Sequence, residues 1–137
     1  MRRVIVDTGP LVAAFNPRDQ HHAWAIEQSR TLASPLVTCE AVLTETYHLL
    51  GRVPGARIAF ARWLGQGRVE TPLRLDEDAE AISALLQQYA DLPMDFADAC
   101  IVRLAEREEL PVFTTDVRDF NVYRIGRGAA ISLILPG

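Results

Sequence analysis

The chain has 137 residues, of which 49% are hydrophobic, and it carries a formal net charge of −4 at pH 7 with an isoelectric point of about 5.3. This length is enough to bury a sizeable core, and the composition lacks the polar bias of a disordered protein, so we expect one domain over residues 1–137. All 14 basic residues are arginines, which excludes mechanisms that require a lysine. The acidic balance argues against the basic stripe of many nucleic-acid-binding proteins, although carboxylates gathered around bound cations would also make the count acidic.

Targeting and anchoring segments are not expected in this sequence. The apolar pattern before Asp7 is too short for a signal peptide, and no apolar run reaches the length of a membrane span. We therefore expect a cytoplasmic protein without membrane contact. Cys39 and Cys100 lie among apolar residues and lack the spacing of zinc ligands or redox pairs, so both are predicted to be core residues.

The first half of the chain is predicted to contain two strands and four helices. Residues 4–6 form a β-branched run that is typical of a buried parallel strand and stops at Asp7. Thr8 can cap the helix that follows, which extends to residue 15 and tolerates Pro10 in its first turn. The remaining predictions are helices over 22–32, 40–50 and 54–64 and a strand over 36–39.

The second half continues the alternation of strands and helices. We predict strands over 68–73, 112–116 and 131–135, helices over 76–89 and 95–108, and a loop that begins at Asp119. Strands that alternate with helices are typical of an α/β fold, in which helices flank a mostly parallel central sheet.

Asp7 and Asp116 each end a predicted strand. In open parallel sheets, ligands bind in the crevice outside the carboxyl ends of the strands, so both carboxylates would face one crevice. An aspartate at a strand end is also a common turn or cap residue, and either one alone would more often be structural. Strand alternation puts Thr114 on the same side as Asp116, where its hydroxyl can orient that carboxylate or a bound water, while Thr115 would point the other way.

Three further carboxylates of interest lie within predicted helices. Asp98 stands in the apolar segment 96–102, where a buried charge is unfavourable unless a partner such as a cation offsets it. Asp95, three residues earlier, is either a helix cap or a secondary metal ligand. Glu45 lies among apolar residues of its helix, although a surface glutamate on an amphipathic helix is the usual explanation for such a pattern.

Four short motifs follow one another along nearly the whole chain. They are residues 4–11 (VIVDTGPL), the helix that carries Glu45, residues 95–99 (DFADA) and residues 113–120 (FTTDVRDF). Together they resemble the motifs of PIN domains, and in particular those of the VapC toxins of bacterial toxin–antitoxin pairs. The resemblance implies a three-layer PIN-like fold in which helices flank a mostly parallel central sheet.

The same resemblance implies a metal-dependent endoribonuclease that hydrolyses RNA phosphodiester bonds, as the toxin of such a pair. One or two Mg²⁺ or Mn²⁺ ions would be held by Asp7, Glu45, Asp98 and Asp116. Supporting residues or secondary ligands would be Thr8, Asp95, Thr114 and Asp119. Hard oxygen ligands without His or Cys suit these cations, which can activate water as a nucleophile. The expected partners are the RNA substrate, a cognate antitoxin protein and a second copy of the chain in a homodimer.

An RNA substrate would need cationic and aromatic contacts near the site. Candidate cations are Arg18, Arg52, Arg57, Arg62 and Arg118, although solvated surface arginines are the more common explanation. Candidate stacking residues are Trp24, Tyr47, Trp63 and Tyr123. Their helical spacing predicts that at least half of these rings pack in the core, so none is assigned a contact.

Other protein classes fit the pattern less well. A receiver domain also gathers aspartates at strand ends, but it relies on a lysine that this chain lacks. A haloacid-dehalogenase-type phosphatase has an aspartate two residues after its nucleophile, where this chain has Gly9. The remaining alternative is a PIN-fold binding or assembly module with little or no nuclease activity. The four acidic residues argue against it, because a protein without a bound cation would gain stability by losing buried carboxylates that repel one another.

Overall fold

The computed structural model describes residues 1–137 and has a five-stranded parallel sheet at its centre. The strands along the chain are β1 (Ile5–Val6), β2 (Leu36–Val37), β3 (Val69–Glu70), β4 (Val112–Phe113), β5 (Arg124–Ile125), β6 (Ala129–Ala130) and β7 (Leu133–Ile134). The order across the sheet is β3-β2-β1-β4-β7, with Ile5 of β1 in register with Val37 on one side and Val112 on the other. The two remaining strands, β5 and β6, form a separate antiparallel hairpin.

Seven helices flank this sheet. They are α1 (Thr8–Phe15), α2 (His22–Ser29), α3 (Glu40–Leu49), α4 (Ala56–Gly65), α5 (Leu75–Gln88), α6 (Phe96–Glu108) and α7 (Val117–Phe120), and a short 3₁₀ turn covers Leu50–Arg52. Because parallel crossovers are right-handed and the chain moves in opposite directions across the sheet before and after β3, the connecting helices cover both of its faces. The predicted α/β class, with helices flanking a mostly parallel central sheet, is therefore confirmed. No helix combines the length and the apolar composition that crossing a lipid bilayer requires.

The strand order reverses between β1 and β4. From β1 the chain moves outward to β2 and β3, and it then returns to place β4 on the other side of β1. Such a switch point opens a crevice at the carboxyl ends of the two strands, because the connections leave towards opposite faces of the sheet. Asp7 directly follows β1 and Asp116 follows β4 by three residues, so the fold brings both to this crevice.

The core contains the central strands and one side of α6. Val4, Ile5 and Val6 are fully buried, as expected for a strand covered on both faces. Helix α6 is buried along most of its length, and its position carries Asp98 into the interior. Cys39 and Cys100 are buried free thiols, so the prediction that they are core residues is confirmed.

Several local predictions were wrong. Thr8 does not cap α1: Asp7 occupies the N-cap position and Thr8 is the first helical residue. Asp119 lies in α7 and not in a loop, because the Asp116 side chain accepts the backbone N–H of Asp119 at 3.0 Å and so starts a helical turn. The β5–β6 hairpin was not predicted at all.

Candidate active site

A polar cleft of about 380 Å³ opens at the carboxyl ends of β1 and β4. Its walls include all four carboxylates that the sequence singled out, namely Asp7, Glu45, Asp98 and Asp116, together with Thr8 and Asp95. A larger cavity of about 500 Å³ lies between α1, α2 and the sheet, but no carboxylate lines it. The carboxylates that could support acid–base or metal chemistry therefore line the smaller cleft.

Asp7 is almost fully buried at the start of α1. Thr114 Oγ1 donates a hydrogen bond of 2.8 Å to Asp7 Oδ2. Burial raises the pKa of Asp7 to about 6, against the opposing effects of the Thr114 bond and the backbone N–H of Thr8. The negative charges of Asp116 and Glu45 raise this pKa further. Asp7 is thus a carboxylate whose charged form the protein alone does not favour.

Thr114 is the buried link between the two strand ends. Besides donating to Asp7, its Oγ1 accepts the backbone N–H of Asp116 at 2.9 Å. Of the two roles predicted for Thr114, a hydrogen bond to the Asp116 carboxylate is not observed, because the hydroxyl donates to the Asp7 carboxylate and accepts from the Asp116 backbone. The role in orienting a bound water stays a prediction. Thr115 lines the cleft, contrary to the alternation expected from a strand, because β4 ends at Phe113 and the chain turns after it.

Asp98 is the second buried carboxylate, in the first turn of α6. Its Oδ2 accepts a hydrogen bond of 2.8 Å from the Tyr123 hydroxyl. Burial raises the pKa of Asp98 to about 8, and the charge of Asp95 adds to this effect. The Tyr123 bond lowers the pKa, whereas the charges of Asp7 and Asp116 raise it again. As a net result, the pKa of Asp98 is higher than the pKa of Asp7.

Asp116 and Asp119 complete a tight group with Asp98. One carboxylate oxygen from each of the three lies within 4.8 Å of the others. The pKa of Asp116 lies above its ordinary value, first because of burial, while the backbone N–H of Asp119 lowers it and the charge of Asp119 raises it. Asp7 and Glu45 lie outside this tightest group, although both line the same cleft.

Asp95 and Glu45 occupy the outer parts of the cleft. The Asp95 side chain accepts the backbone N–H of Asp98 at 2.7 Å, so of its two predicted roles the helix cap is confirmed. Its role as a ligand stays a prediction. Glu45 is half-buried on α3 and faces the cleft with Leu49, without a salt bridge to any arginine.

The residues of the cleft fit a hard divalent cation. None of the six salt bridges in the molecule involves a carboxylate of the cleft, so its negative charge is not balanced by arginine. The Thr8 hydroxyl is buried in the wall of the cleft and is the single buried side-chain oxygen without a hydrogen-bond partner. Clustered carboxylate oxygens beside an unpaired hydroxyl are a donor set for Mg²⁺ or Mn²⁺ and their waters.

Gly9 allows the two sides of the cleft to approach closely. A Cβ atom at this position would lie 2.0 Å from Thr115 Oγ1 and 3.1 Å from Thr115 Cβ. Any larger residue would therefore require the Thr115 side chain to move. The glycine of the first motif allows the start of α1 to lie directly against Thr115.

The structure restricts the predicted RNA contacts. Tyr123 is buried and cannot stack on a base, and Trp24 and Trp63 pack partly against the core. Tyr47 is exposed, but Arg57 covers its ring at 4.6 Å. Arg57 also donates hydrogen bonds to the backbone carbonyls of Tyr47 and His48, so its role here is to close the end of α3.

Sequence reasoning missed Tyr123 as a residue of the site. It had named Tyr123 only as one of four rings that could stack on bases, yet the hydroxyl contacts Asp98 directly. The two residues are 25 positions apart and belong to different elements. No local pattern signals this contact, because it depends on how the segment after α7 folds back over α6.

Comparisons with known proteins identify the family. The PIN domain family model matches residues 4–126. Ribonuclease VapC26 of Mycobacterium tuberculosis is 31% identical over 129 residues, which cover 91% of this chain and 96% of the relative. The crystal structure of Mycobacterium tuberculosis VapC20, described as a toxin that cleaves the sarcin–ricin loop, shares the fold with a TM-score of 0.67 and 24% identity over 80% of this chain and 86% of that one. The chain belongs to the PIN-domain family.

Proposed function

We propose that the chain is a metal-dependent endoribonuclease that hydrolyses RNA phosphodiester bonds, and that it is the toxin of a toxin–antitoxin pair. The observation that carries this proposal is the cleft itself: buried carboxylates with raised pKa values and no arginine partner, at the switch point of a PIN-family sheet. Such an arrangement is unfavourable without a cation and becomes favourable with one. The 31% identity to ribonuclease VapC26 supports the activity on RNA.

In this proposal the ligands of one or two Mg²⁺ or Mn²⁺ ions are Asp7, Glu45, Asp98 and Asp116. A bound divalent cation supplies the Lewis acidity that phosphodiester hydrolysis requires. Asp119 and Asp95 lie beside these carboxylates and serve as secondary ligands. Thr114 fixes the Asp7 carboxylate through its hydrogen bond. The free Thr8 hydroxyl is available to a water or to a phosphate oxygen in the cleft.

Substrate binding should depend on the cation as much as turnover does. Phosphate groups are negatively charged, and the cleft carries several carboxylates without a neighbouring arginine side chain in its lining. Without a cation, the phosphates of RNA and the carboxylates of the cleft would repel each other. We therefore expect RNA to enter the cleft only in the metal-loaded protein.

The partners follow from the same proposal. An antitoxin would bind and mask the nuclease, and the toxin would act as a homodimer, with residues 1–137 of each copy forming one nuclease domain. The antitoxin is supported by the similarity to ribonuclease VapC26, whereas the homodimer is carried over from the resemblance to the VapC toxins. Size-exclusion chromatography coupled to light scattering would test the dimer.

An RNA cleavage assay tests the activity. Purified protein is incubated with a mixed pool of structured and unstructured RNA while Mg²⁺ or Mn²⁺ is titrated. Asp7→Asn and Asp98→Asn are compared with Asp91→Asn, which changes an exposed aspartate outside the cleft. Cleavage should need metal, disappear in the first two variants and persist in the third.

Two outcomes would contradict the proposal. Cleavage that persists in folded Asp98→Asn protein would show that the cleft is not where RNA is cut. A protein that binds no metal and cuts no RNA would instead favour the binding or assembly module, in which the PIN fold serves without nuclease activity.

A further inference from the structure

The segment after β4 begins and ends at the cleft. Asp116 starts α7, and the backbone N–H of Tyr123, three residues beyond α7, bonds to the Asp119 carbonyl at 3.2 Å. From there the Tyr123 hydroxyl returns to Asp98 on α6. One short stretch of chain therefore supplies Asp116, Asp119 and a contact to Asp98.

The hydroxyl contact of Tyr123 is buried and held in place by its neighbours. The Tyr123 side chain is 1% exposed, and its ring packs edge-on against Tyr89 at 5.1 Å and against Phe120 at 5.2 Å. Because the ring is fixed on two sides, the hydroxyl has little freedom to leave Asp98. A donor fixed in this way takes one carboxylate oxygen and sets the direction of the other.

The two oxygens of Asp98 are therefore not equivalent. Oδ2 accepts the Tyr123 hydroxyl at 2.8 Å, and no hydrogen bond within the protein reaches Oδ1. Asp98 also supplies one oxygen to the group whose members lie within 4.8 Å of one another, with Asp116 and Asp119. A carboxylate in this setting can offer a cation one defined oxygen and cannot swing freely between arrangements.

We propose that Tyr123 is a positioning residue of the cation site, and that its hydroxyl holds Asp98 Oδ2 so that Oδ1 is the oxygen offered to the metal. Because Asp98 is a ligand only if the chain is a metal-dependent nuclease, this role rests on the proposed function. Tyr123 does not touch the substrate or the cation; it acts through Asp98.

Tyr89 provides a matched control within the same aromatic cluster. It is also buried, and its ring packs against Tyr123, but its hydroxyl accepts the backbone N–H of Arg124 at 2.9 Å and reaches no carboxylate. Phenylalanine at either position keeps the ring and removes one buried hydroxyl. A purely structural role for Tyr123 would make the two substitutions equivalent in their effect on metal binding.

Isothermal titration with Mn²⁺ alone tests the proposal on wild-type protein, Tyr123→Phe and Tyr89→Phe. We expect Tyr123→Phe to bind Mn²⁺ about tenfold more weakly or worse, as is typical when a residue that orients a ligand is lost. Tyr89→Phe should bind as the wild type does. Equal affinity of Tyr123→Phe and wild type would overturn the proposal, and so would an equal loss in both variants. If the wild type itself binds no Mn²⁺, the proposed function fails first, and the role of Tyr123 fails with it.

A double-mutant cycle in the metal-free protein checks that Tyr123 acts through Asp98. Urea unfolding is measured for Tyr123→Phe, Asp98→Ala and the double variant, which lacks both the donor and the acceptor of the hydrogen bond. The effects should be non-additive, because the two groups share one hydrogen bond. The same cycle between Tyr89 and Asp98 should be additive. Additive effects for Tyr123 and Asp98 would overturn the proposal independently of any metal measurement.

Discussion

Two sets of buried aspartates in this molecule have opposite environments. Asp78, on α5, is 3% exposed and accepts hydrogen bonds from Arg103 Nε at 3.0 Å and from an Arg107 guanidinium nitrogen at 2.7 Å. Asp7 and Asp98 are 6% and 8% exposed and have no arginine partner. Burial alone would raise the pKa of all three. For Asp78, the Arg103 bond, the backbone N–H of Arg74 and the two arginine charges outweigh burial and lower its pKa.

The comparison distinguishes Asp78, a carboxylate that stabilises the fold, from Asp7 and Asp98, carboxylates that we expect to bind a ligand. The arginines of α6 tie Asp78 of α5 to that helix, so this charge is balanced inside the folded chain. The charges of the cleft are not balanced, and the fold tolerates them at a free-energy cost. A bound cation would balance these charges and remove that free-energy cost. Each of the following predictions tests or sharpens this contrast, and the substitutions are given in order of decreasing effect.

Removing the charge of Asp78 should destabilise the protein most. We expect Asp78→Asn to lower the free energy of unfolding by about 2 to 3 kcal/mol at pH 7, because it leaves two arginines without their buried partner. This value lies below that of a fully buried pair because the arginine side chains are 24% and 34% exposed. Urea denaturation measures the change. A loss below about 1 kcal/mol, typical of an exposed pair, would contradict the structural role assigned to Asp78.

The metal-free protein should lose stability as the pH rises from 5 to 8. Asp7 and Asp98 bind protons more tightly in the folded chain, with pKa values of about 6 and about 8, than in the unfolded chain, where the ordinary value is 3.8. The folded state therefore holds more protons in this range, and the slope is negative, at about 1.4 kcal/mol per pH unit for each proton of difference. Asp78 acts in the opposite direction: its contribution is present above pH 3.8 and is lost at more acidic pH.

Thermal unfolding across this pH range, with and without saturating Mg²⁺, measures the effect. Saturating Mg²⁺ should flatten the decline, because the cation favours the deprotonated carboxylates. If the metal-free protein instead became more stable from pH 5 to 8, burial would not be destabilising the charged form of the cleft carboxylates.

Asp98→Asn should stabilise the metal-free protein. The amide keeps an oxygen that can accept the Tyr123 hydroxyl and removes the charge that burial disfavours. We expect a gain on the order of 1 kcal/mol at pH 8 and a smaller dependence on pH. The comparison with Asp78→Asn is direct, because the same substitution at two buried aspartates should change the unfolding free energy in opposite directions. Two losses of similar size would remove the distinction between them.

Glu45→Gln should have the smallest effect. Glu45 is half-buried, and its charge is the weakest of the named influences on the pKa of Asp7. Removing the charge should stabilise the metal-free protein by a few tenths of a kcal/mol, as is usual for partly exposed charges. Differential scanning calorimetry in the presence of EDTA would resolve the sign. Destabilisation by this variant would mean that Glu45 has a structural partner.

The sequence predicted the parts of the site that depend on strand order. Asp7 directly follows β1 and Asp116 lies three residues after β4, and the rule for parallel sheets was sufficient to expect them at one crevice. Asp98 could be singled out because a charge stood in an apolar helix. The fold class is confirmed by the observed sheet and by the family match, whereas the metal-binding roles of these residues stay predictions.

The contacts of Asp78 and Tyr123, which the sequence could not predict, join distant residues. The Asp78 pairs reach across 25 and 29 positions to α6, and the Tyr123 contact spans 25 positions to the same helix. From the sequence, Asp78 could be placed only within the helix predicted over 76–89. Tertiary packing decides these contacts, and local patterns do not record it. Thr8 was predicted to be a cap because its residue type suits one, but the preceding residue took that position.

The most direct test is a calorimetric titration of Mn²⁺ into wild-type protein, Asp98→Asn and Asp78→Asn at neutral pH. The contrast between the two sets of aspartates predicts that wild type and Asp78→Asn bind Mn²⁺ alike, while Asp98→Asn loses measurable binding although it is at least as stable as the wild type. Unchanged Mn²⁺ binding in Asp98→Asn would contradict the account, because the buried unpaired carboxylate would then have no part in holding the cation.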